Sequence, residues 1–534
     1  VYTNSGTINN AYYAYNSSQY GIKVDNDSMK TQEFVDILNE NNSSLKSAFT
    51  FVENNYPVII TDIKSGIECQ LDYSAEDIFI YNTDILETSI INVTNDMPCQ
   101  FYYTLDGSNP ITSDTAILHD GSTIQIEGNG IISMVAYENG YYGVIRRQQY
   151  LHLVGDGTEE SPYLISSKQD LYALKVNPSA HYDLVVDIEF TDSDYEVDGL
   201  FAGGWETLPS FSGVLNGNSH SISNLKGDKG GFVIDNKGII KFIRFLNTNM
   251  SNTAKRGDFG TIAKINSGTI SSCYVQMNSV VYGQGNPGVV AGGIAGNNQG
   301  SILYCSTEGS FDVHAADVSY NWVSGVGGIA GKNNGTIKNC YNRANISISS
   351  SKITEYVYVG GITSSGYVHN CRNENSIYVN VMLDYDVYYG AFSGDYYSGS
   401  SNECYGSVKF KFVTTGLNTK THLSTRNNNC YSSTYLQNSE KRCLESSYPL
   451  FDFENNWVMI DGTPVPQGVM NADGNCYTRV SYEEKIDSNG NHIAISKYKN
   501  QYGVITTDTY NLSCSCSKDT LKYDKDNHYY ECSC

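Results

Sequence analysis

Apolar and polar residues alternate along most of this chain, and short apolar runs are separated by Gly, Asn and Ser. Alternation with a period of two is the pattern of half-buried β-strands, and the intervening residues favour turns. Helical spacing occurs in short stretches, such as the one that begins at Ser167 and places Leu171 and Leu174 on one face. The pattern therefore predicts an all-β protein built from short strands.

The middle of the chain repeats one phrase at intervals of 30 to 35 residues, a Gly followed two residues later by an apolar residue. The apolar residue is missing only from the last of its glycines, which are Gly238, Gly268, Gly300, Gly335, Gly366 and Gly399. A second phrase, Gly-Gly-Ile, precedes three of these copies, at Gly292, Gly327 and Gly360. One such repeat cannot bury its apolar face alone, whereas stacked repeats form a continuous core. We therefore predict a β-solenoid (β-helix) with a repeat of about 30 residues.

A cysteine follows the repeated Gly by five residues in every copy except the first, where Ile243 takes its place. These cysteines are Cys273, Cys305, Cys340, Cys371 and Cys404. Residues at one coil position stack along a solenoid, and a free Cys behaves as a small buried hydrophobe. We expect a structural ladder of buried thiols. Disulfides between rungs and metal ligation are the alternatives, although a metal needs ligands that converge on one point.

Residues 155–466 resemble the GLUG-motif β-solenoids of bacterial surface proteins. The resemblance begins at Gly157–Ile165, continues through Ser167–Leu174 and His181–Ile188, and extends to Phe211–Asn218. It implies a display or spacer solenoid, because no catalytic residues belong to the motif itself.

The repeat divides the chain into four predicted domains. Residues 1–60 look like the terminal coil and closing helix of another such solenoid, because Gly6–Tyr12 matches the phrase at Gly335. Two explanations stay open for this segment, upstream coils removed from a longer precursor or an open coil that docks on a second copy. The other predicted domains are a small sandwich at 61–153, the solenoid at 154–466 and a Cys-containing β-hairpin tail at 467–534.

Strand-like runs at regular spacing predict an immunoglobulin-like β-sandwich for residues 61–153. Within it, Tyr102–Pro110 resembles the chitobiase/β-hexosaminidase C-terminal-type module. The resemblance implies a spacer attached to carbohydrate-active or wall proteins, and sugar binding by exposed Tyr rings is the alternative. Cys69 and Cys99 are a possible disulfide across this sandwich.

Two cysteine doublets end the chain, Cys514 with Cys516 and Cys532 with Cys534. Disulfides that link two strands are the favoured interpretation for an exported chain, and zinc is the alternative. The doublet spacing differs from the usual Cys-x-x-Cys of zinc sites. No cofactor is predicted for the chain.

Charge and composition narrow the class of partner. The 534 residues include 57 Asp plus Glu against 34 Lys plus Arg, which gives a net charge of −23 at pH 7. This balance argues against nucleic acid and anionic membrane surfaces, because both need a basic face. A membrane span needs a run of about 18 apolar residues, and none is present. With 17% charged residues, 49 Gly and 44 Tyr, the composition favours an extracellular or cell-surface protein.

The function expected from these features is structural rather than catalytic. Solenoid lyases and hydrolases need Asp, Arg or Lys clustered on one face, and the repeated phrases contain no Asp. We expect a non-enzymatic bacterial structural or adhesive surface protein that self-associates head-to-tail or laterally. The second hypothesis is a carbohydrate-binding surface module of a polysaccharide-degrading system, with a glycan or host-surface ligand. The third is the non-catalytic region of a secreted peptidase or glycosidase.

Overall fold

A computed structural model describes residues 12–13, 22–23, 49–50, 58–59, 67–71, 78–93, 99–138, 141–196, 201, 203–252, 258–283, 289–315, 323–353, 356–383, 386–395, 400–414, 421–423, 427–428, 430–432, 444–489, 491–512, 521–523 and 528–530. The chain forms two compact units, residues 1–154 and 155–534.

The described residues of the first unit form short β-strands and the turns between them. One sheet has the strand order Ile117–Leu118, Gln100–Thr104, Gly130–Glu138, Arg146–His152 and Ile78–Tyr81, and Tyr141–Tyr142 also pairs with Gly130–Glu138. Two further pairs are Leu86–Thr88 with Ile124–Ile126 and Cys69–Leu71 with Ile90–Asn92. Inward side chains such as Leu71, Ile132 and Met134 form one buried apolar cluster. The immunoglobulin-like topology of this region stays a prediction.

Two short strand pairs precede this cluster. Tyr12–Tyr13 lies parallel to Ile22–Lys23, and Phe49–Thr50 lies antiparallel to Val58–Ile59. Most of the predicted terminal coil at residues 1–60 falls outside the described residues, so that domain also stays a prediction.

The second unit contains a β-solenoid, which confirms the predicted fold class. The complete coils place successive short strands on four sheets, called sheets I to IV here in the order in which the chain visits them. Each strand pairs in parallel with the equivalent strand one coil later, as Ile270 does with Ile302 and Ile302 with Ile337. This in-register stacking places residues of one repeat position above one another.

The strands of each sheet have the following bounds. Sheet I contains Asp258–Gly260, Val289–Gly292, Val323–Gly327, Val357–Gly360, Val387–Gly390 and Thr421–Leu423. Sheet II contains Leu208–Phe211, Val233–Asn236, Ala263–Asn266, Ala295–Asn298 and Ala330–Asn333. Sheet III contains Tyr163–Ile165, His181–Leu184, Val214–Asn216, Ile239–Lys241, Thr269–Ser271, Ser301–Leu303, Thr336–Lys338, Tyr367–His369, Ser400–Asn402 and Asn427–Asn428. Sheet IV contains Ile188–Glu189, Ser221–Ser223, Lys226–Gly227, Arg244–Met250, Tyr274–Gly283, Ser306–Ala315, Tyr341–Asn342, Asn345–Ile353, Arg372–Leu383, Tyr405–Thr414 and Tyr431–Ser432.

The repeated Gly occupies the corner between sheets II and III. A Cβ on Gly300 would collide with the carbonyl oxygen of Gly268 in the preceding coil, and a Cβ on Gly335 would collide with that of Gly300. The Gly268 carbonyl accepts a backbone hydrogen bond from Ser301 at 2.8 Å. Because the coils approach this closely, the corner has no room for a side chain.

The corner between sheets III and IV uses a left-handed residue immediately before the repeated cysteine. Its φ angles are 49° at Ser272, 56° at Tyr304, 54° at Asn339, 48° at Asn370 and 52° at Glu403. This conformation costs roughly 1–2 kcal/mol for a residue other than Gly. Hydrogen bonds between coils offset that cost, as when the Ser272 N–H donates to the Leu303 carbonyl at 2.9 Å. The corner turns the following side chain toward the interior.

Short helical segments and antiparallel strands flank the coils. The helical segments are Gln169–Tyr172, Ala173–Val176, Asp192–Tyr195 and Glu445–Ser447. Leu171 and Leu174 are both fully buried, as their helical spacing predicts. The strands after the coils are Trp457–Ile460 paired with Thr463–Pro466, the sheet of Thr478–Ile486, His492–Lys499 and Ile505–Leu512, and Leu521–Tyr523 paired with His528–Tyr530. We refer to residues 444–512 as the tail segment.

Candidate functional site

The five cysteines of the repeat lie in one buried column inside the solenoid. Cys273, Cys305, Cys340, Cys371 and Cys404 are all 0% exposed. The backbone N–H of Cys340 lies 3.4 Å from the sulfur of Cys371, and that of Cys371 lies 3.4 Å from the sulfur of Cys404. Consecutive sulfurs therefore follow one another from coil to coil on the same side of the core.

All five are free thiols. The thiol of Cys305 lies 3.2 Å from the carbonyl oxygen of Leu303, and the thiol of Cys340 lies 3.3 Å from that of Lys338. Burial raises the pKa of Cys305 and of Cys340 well above the ordinary value. Because the thiolate is the nucleophile and metal ligand, a neutral and enclosed thiol contributes packing rather than chemistry.

A second buried column, which sequence reasoning missed, consists of asparagines at the ends of sheet II strands. The side-chain amide of Asn236 donates to Asn266 at 2.8 Å, Asn266 donates to Asn298 at 2.8 Å, and Asn298 donates to Asn333 at 2.7 Å. The amide of Asn266 also donates to the carbonyl of Ser301 in sheet III at 3.1 Å. The available signal was the recurrence of Asn two residues before each of these repeated glycines.

An aromatic column follows sheet I on the side away from the core. Tyr358 and Tyr388 pair in register, with ring centroids 5.1 Å apart and an interplanar angle of 14°. Tyr388 stacks on His422 at 4.8 Å and 17°, and His422 Nε2 lies 2.7 Å from the carboxylate of Asp386. Because stacked rings cover one another's faces, this column presents mainly ring edges and offers little face for stacking on a sugar.

The tail segment packs on the outer side of sheet IV across several coils. The Ser306 hydroxyl donates to the carbonyl of Met470, and Arg244 Nη1 donates to the carbonyl of Ala472 at 3.1 Å. The apolar part of this contact contains Tyr405, Tyr448, Phe451, Phe453, Trp457, Met459 and Ala494. The tail segment therefore joins the side of the solenoid instead of extending it.

Arg372 is enclosed at this contact, with 6% of its side chain exposed. Its Nη2 donates to Glu374 at 2.8 Å, and its Nη1 donates to the carbonyl of Pro464 in the tail segment at 3.1 Å. The guanidinium lies 4.5 Å from the ring centroid of Tyr341 and 5.6 Å from that of Tyr405. Its Nε finds no acceptor among the described residues.

Two carboxylates of sheet IV are paired beside Arg372. The hydroxyl of Tyr341 donates to Glu374 at 2.7 Å. Burial alone would raise the pKa of Glu374, but Arg372 and this hydroxyl outweigh burial and hold the pKa below its ordinary value. In the neighbouring coils, Arg343 Nη2 donates to Glu308 at 2.6 Å. Each carboxylate therefore has a guanidinium partner.

These groups line a cleft of about 700 Å³, the seam cleft, between sheet IV and the tail segment. The wall from sheet IV contains Ser306, Glu308, Tyr341, Arg343, Arg372 and Glu374. The wall from the tail segment includes Asp461, Thr463, Asn471, Asp473 and Tyr477. Its volume lies within the range of small-ligand sites, and the sequence predicted none of it.

The possible disulfide between Cys69 and Cys99 lies within the described residues, where both are free thiols. Cys69 is fully buried, Cys99 is half-buried, and the possible bridge between them is not formed here. Cys69 stands opposite Asn92 in a strand pair, and the Asn92 amide lies 3.3 Å from the Cys99 sulfur. Burial raises the pKa of Cys69 to about 12. Cys514, Cys516, Cys532 and Cys534 lie outside the described residues.

Within the described ranges, no group of three or more His, Cys, Asp or Glu side chains is placed to hold a metal ion. In the same part of the chain, every helix is too short or too polar to cross a membrane.

No family model matches this chain. Over 200 residues it is 28% identical to Halomucin of Haloquadratum walsbyi, a match that covers 35% of this chain and 2% of that protein. The chain thus spans a small fraction of the length of that relative. The resemblances to GLUG-motif solenoids and to the chitobiase-type module stay predictions.

A solved structure of IgA1 Protease matches 77% of this chain and 41% of that chain, with 13% identity and a TM-score of 0.35. No functional conclusion follows from a likeness of this size.

Proposed function

We propose that this chain belongs to a non-enzymatic structural protein of the cell surface, in which the solenoid is a stiff stalk. The observation that carries the proposal is the continuous stacking of like residues inside successive coils. Asn236, Asn266, Asn298 and Asn333 form an unbroken chain of amide hydrogen bonds, and the aliphatic residues Ile270, Ile302 and Ile337 pair in register beside it.

Stiffness follows from the way each coil is held. Every coil is joined to the next by parallel strand pairing on its sheets, and the interior amides add a further chain of hydrogen bonds along the axis. Bending the solenoid would lengthen these bonds on one side of the core, where no water is available to replace them. Such an object keeps its ends a fixed distance apart, which is what a stalk or spacer needs.

The similarity to Halomucin supports a place at the cell surface. The net charge of −23 also suits a protein exposed to the medium, because a charge far from zero favours solubility. Adhesion and carbohydrate binding are more specific functions that are consistent with a location at the cell surface.

Self-association end to end is part of the proposal. Among the described residues, sheets I and III end at Thr421–Leu423 and Asn427–Asn428. The last strand of a sheet has backbone N–H and C=O groups that a strand of another chain can pair with. Heterologous contacts of this kind extend into fibres when they do not close into a ring.

Two measurements test the proposal. Antibodies against the chain should label intact cells, and the label should disappear after brief protease treatment of those cells; labelling only after lysis would contradict surface placement. Negative-stain electron microscopy of the purified protein should show rods that join end to end as concentration rises. Spherical particles would contradict the stalk, and single rods at every concentration would contradict end-to-end assembly.

A matched pair of variants connects these measurements to the interior columns. Ile302 is 0% exposed and belongs to the aliphatic column, so Ile302→Asp should abolish the rods. Ser301→Asp changes the neighbouring half-buried position and should leave them intact.

A further inference from the structure

We propose that the seam cleft between sheet IV and the tail segment binds a neutral oligosaccharide. The cleft is distinct from the interior columns, so this proposal does not depend on the stalk function.

The two walls of the cleft present complementary hydrogen-bonding groups. The sheet IV wall presents the guanidinium groups of Arg343 and Arg372, which only donate, and the tail wall presents the exposed carboxylates of Asp461 and Asp473, which accept. A ligand that satisfies both walls must donate on one side and accept on the other. A hydroxyl group does both, and a saccharide presents hydroxyls on all of its sides.

The charges of the cleft disfavour an acidic ligand. Arg372 is paired with Glu374, and Arg343 is paired with Glu308, so the sheet IV wall is balanced. Asp461 and Asp473 on the opposite wall would repel an acidic sugar, as would the chain's net charge of −23. The ammonium group of a cationic ligand can donate to these carboxylates but cannot accept from the guanidinium groups, whereas each hydroxyl of a neutral polyol can do both.

The guanidinium group of Arg372 is a preoriented polar group in the sheet IV wall. Only 6% of its side chain is exposed, and its Nη2 and Nη1 donate to Glu374 and to the Pro464 carbonyl. Its Nε is enclosed and out of reach of a ligand in the cleft. A ligand therefore meets a guanidinium group whose orientation is fixed before binding, which lowers the cost of ordering it.

The dimensions of the cleft fit a short saccharide better than an extended polymer surface. Its volume is about 700 Å³, within the range of sites that enclose a small ligand. The aromatic column of Tyr358, Tyr388 and His422 is less suited, because its ring faces are used in stacking. The site is therefore expected to recognise hydroxyls through polar groups rather than through a row of exposed rings.

The test is titration calorimetry of the full chain with neutral and charged trisaccharides. Maltotriose, cellotriose and N,N′,N″-triacetylchitotriose are the neutral probes, and trigalacturonate and the deacetylated chitosan trimer are the charged comparisons. We expect at least one neutral probe to bind with a Kd of about 1 mM or tighter, and the charged trimers to bind at least about tenfold more weakly.

Variants locate the binding in the cleft. The double variant D461N/D473N replaces two exposed acceptors on the tail wall, and R343Q changes a donor on the other wall whose side chain is 40% exposed. Each should weaken binding of the neutral probe by about tenfold or more. The control D192N removes a carboxylate that is 91% exposed outside the cleft, and it should leave the Kd unchanged. All variants should unfold at the parent temperature, which separates loss of a binding group from loss of structure.

Three results would overturn the proposal. The first is no detectable binding of any neutral trisaccharide. The second is binding that survives D461N/D473N and R343Q unchanged, since the ligand would then lie elsewhere. The third is tighter binding of a charged trimer than of every neutral one.

Discussion

The interior of the solenoid and the outer side of sheet IV follow opposite rules, although the same coils build both. Inside, one position holds the same residue coil after coil, as Asn266, Asn298 and Asn333 show. Outside, the register-matched positions under the tail segment hold Ser306, Tyr341, Arg372 and Tyr405. Repetition is therefore a property of the interior and not of the strands as such.

The difference follows from what each side chain has as a partner. An interior side chain contacts the equivalent side chain of the next coil. Because a side-chain amide both donates and accepts hydrogen bonds, the same residue can be repeated in any number of successive coils. A side chain on the outer side of sheet IV meets a different part of the tail segment at every coil. Constant positions therefore identify the scaffold, and positions that break the repeat identify where specific contacts and ligand binding are to be sought.

The largest change in the free energy of unfolding is expected from a substitution on the outer side of sheet IV. Arg372→Leu removes the partner of Glu374 and the donor to Pro464, so we expect the free energy of unfolding to fall by about 3 kcal/mol. Arg343→Leu is the matched control, because its ion pair with Glu308 is partly exposed and should contribute less than about 1 kcal/mol. Urea denaturation followed by circular dichroism measures both. Equal losses would mean that enclosure by the tail segment is not what makes Arg372 important.

A substitution that interrupts the asparagine column should lower the free energy of unfolding by a smaller amount. Asn298→Leu keeps the size of the side chain but leaves the amide of Asn266 without its acceptor and the oxygen of Asn333 without its donor. We expect a loss of about 2 kcal/mol in urea denaturation. Asn297→Leu changes the neighbouring half-buried residue and should stay within about 0.5 kcal/mol of the parent protein. A loss in the control as large as in Asn298→Leu would show that the column has no special role.

The cysteine column should respond as a packing feature. Cys340→Ala removes one buried sulfur at a 0% exposed position, and we expect a loss of about 1 kcal/mol in urea denaturation. The native thiol should also resist iodoacetamide until the chain is unfolded, because burial raises its pKa and excludes the reagent. Rapid alkylation of the folded protein, detected by peptide mass spectrometry, would contradict a sealed interior.

The smallest expected effect is a change in acid stability at the outer face. The pKa of Glu374 is held below its ordinary value in the folded state, so its ionised form stabilises the fold above the unfolded pKa of about 4.3. That contribution should disappear as the pH falls through the lower folded pKa. Unfolding free energies measured between about pH 5 and pH 3 should fall less steeply in Glu374→Gln than in the parent. Glu189→Gln, at an exposed position, should keep the parent slope.

The interior of this fold was predictable from the sequence because the coils stack in register. Each inward-facing position therefore recurs once per repeat. The Gly of the phrase and the Ile two residues later recur at constant spacing, and the structure places Ile270, Ile302 and Ile337 in register. The asparagine column was equally repetitive and was overlooked only because Asn was assigned to turns. Each of these asparagines lies two residues before the repeated Gly, and this spacing is as constant as that of the cysteines, which lie five residues after it.

The outer face was not predictable in the same way. The contact of Arg372 with Pro464 joins residues 92 positions apart and occurs once, so no period in the sequence marks it. Residues 444–466 were predicted as the end of the solenoid and residues 467–534 as a separate hairpin tail, because nothing local shows that Tyr448 and Trp457 pack against Tyr405. The third tail strand, Ile505–Leu512, was missed because it has few apolar positions facing a core.

The amide chain that runs through Asn266, Asn298 and Asn333 also has an evolutionary consequence. Removing or duplicating one whole turn would leave every surviving amide beside another amide, so the interior column alone sets no limit on the number of coils. The tail segment sets that limit, because it contacts Arg244, Ser306 and Arg372 on different coils. A change in the length of the solenoid therefore requires a matching change in the tail segment.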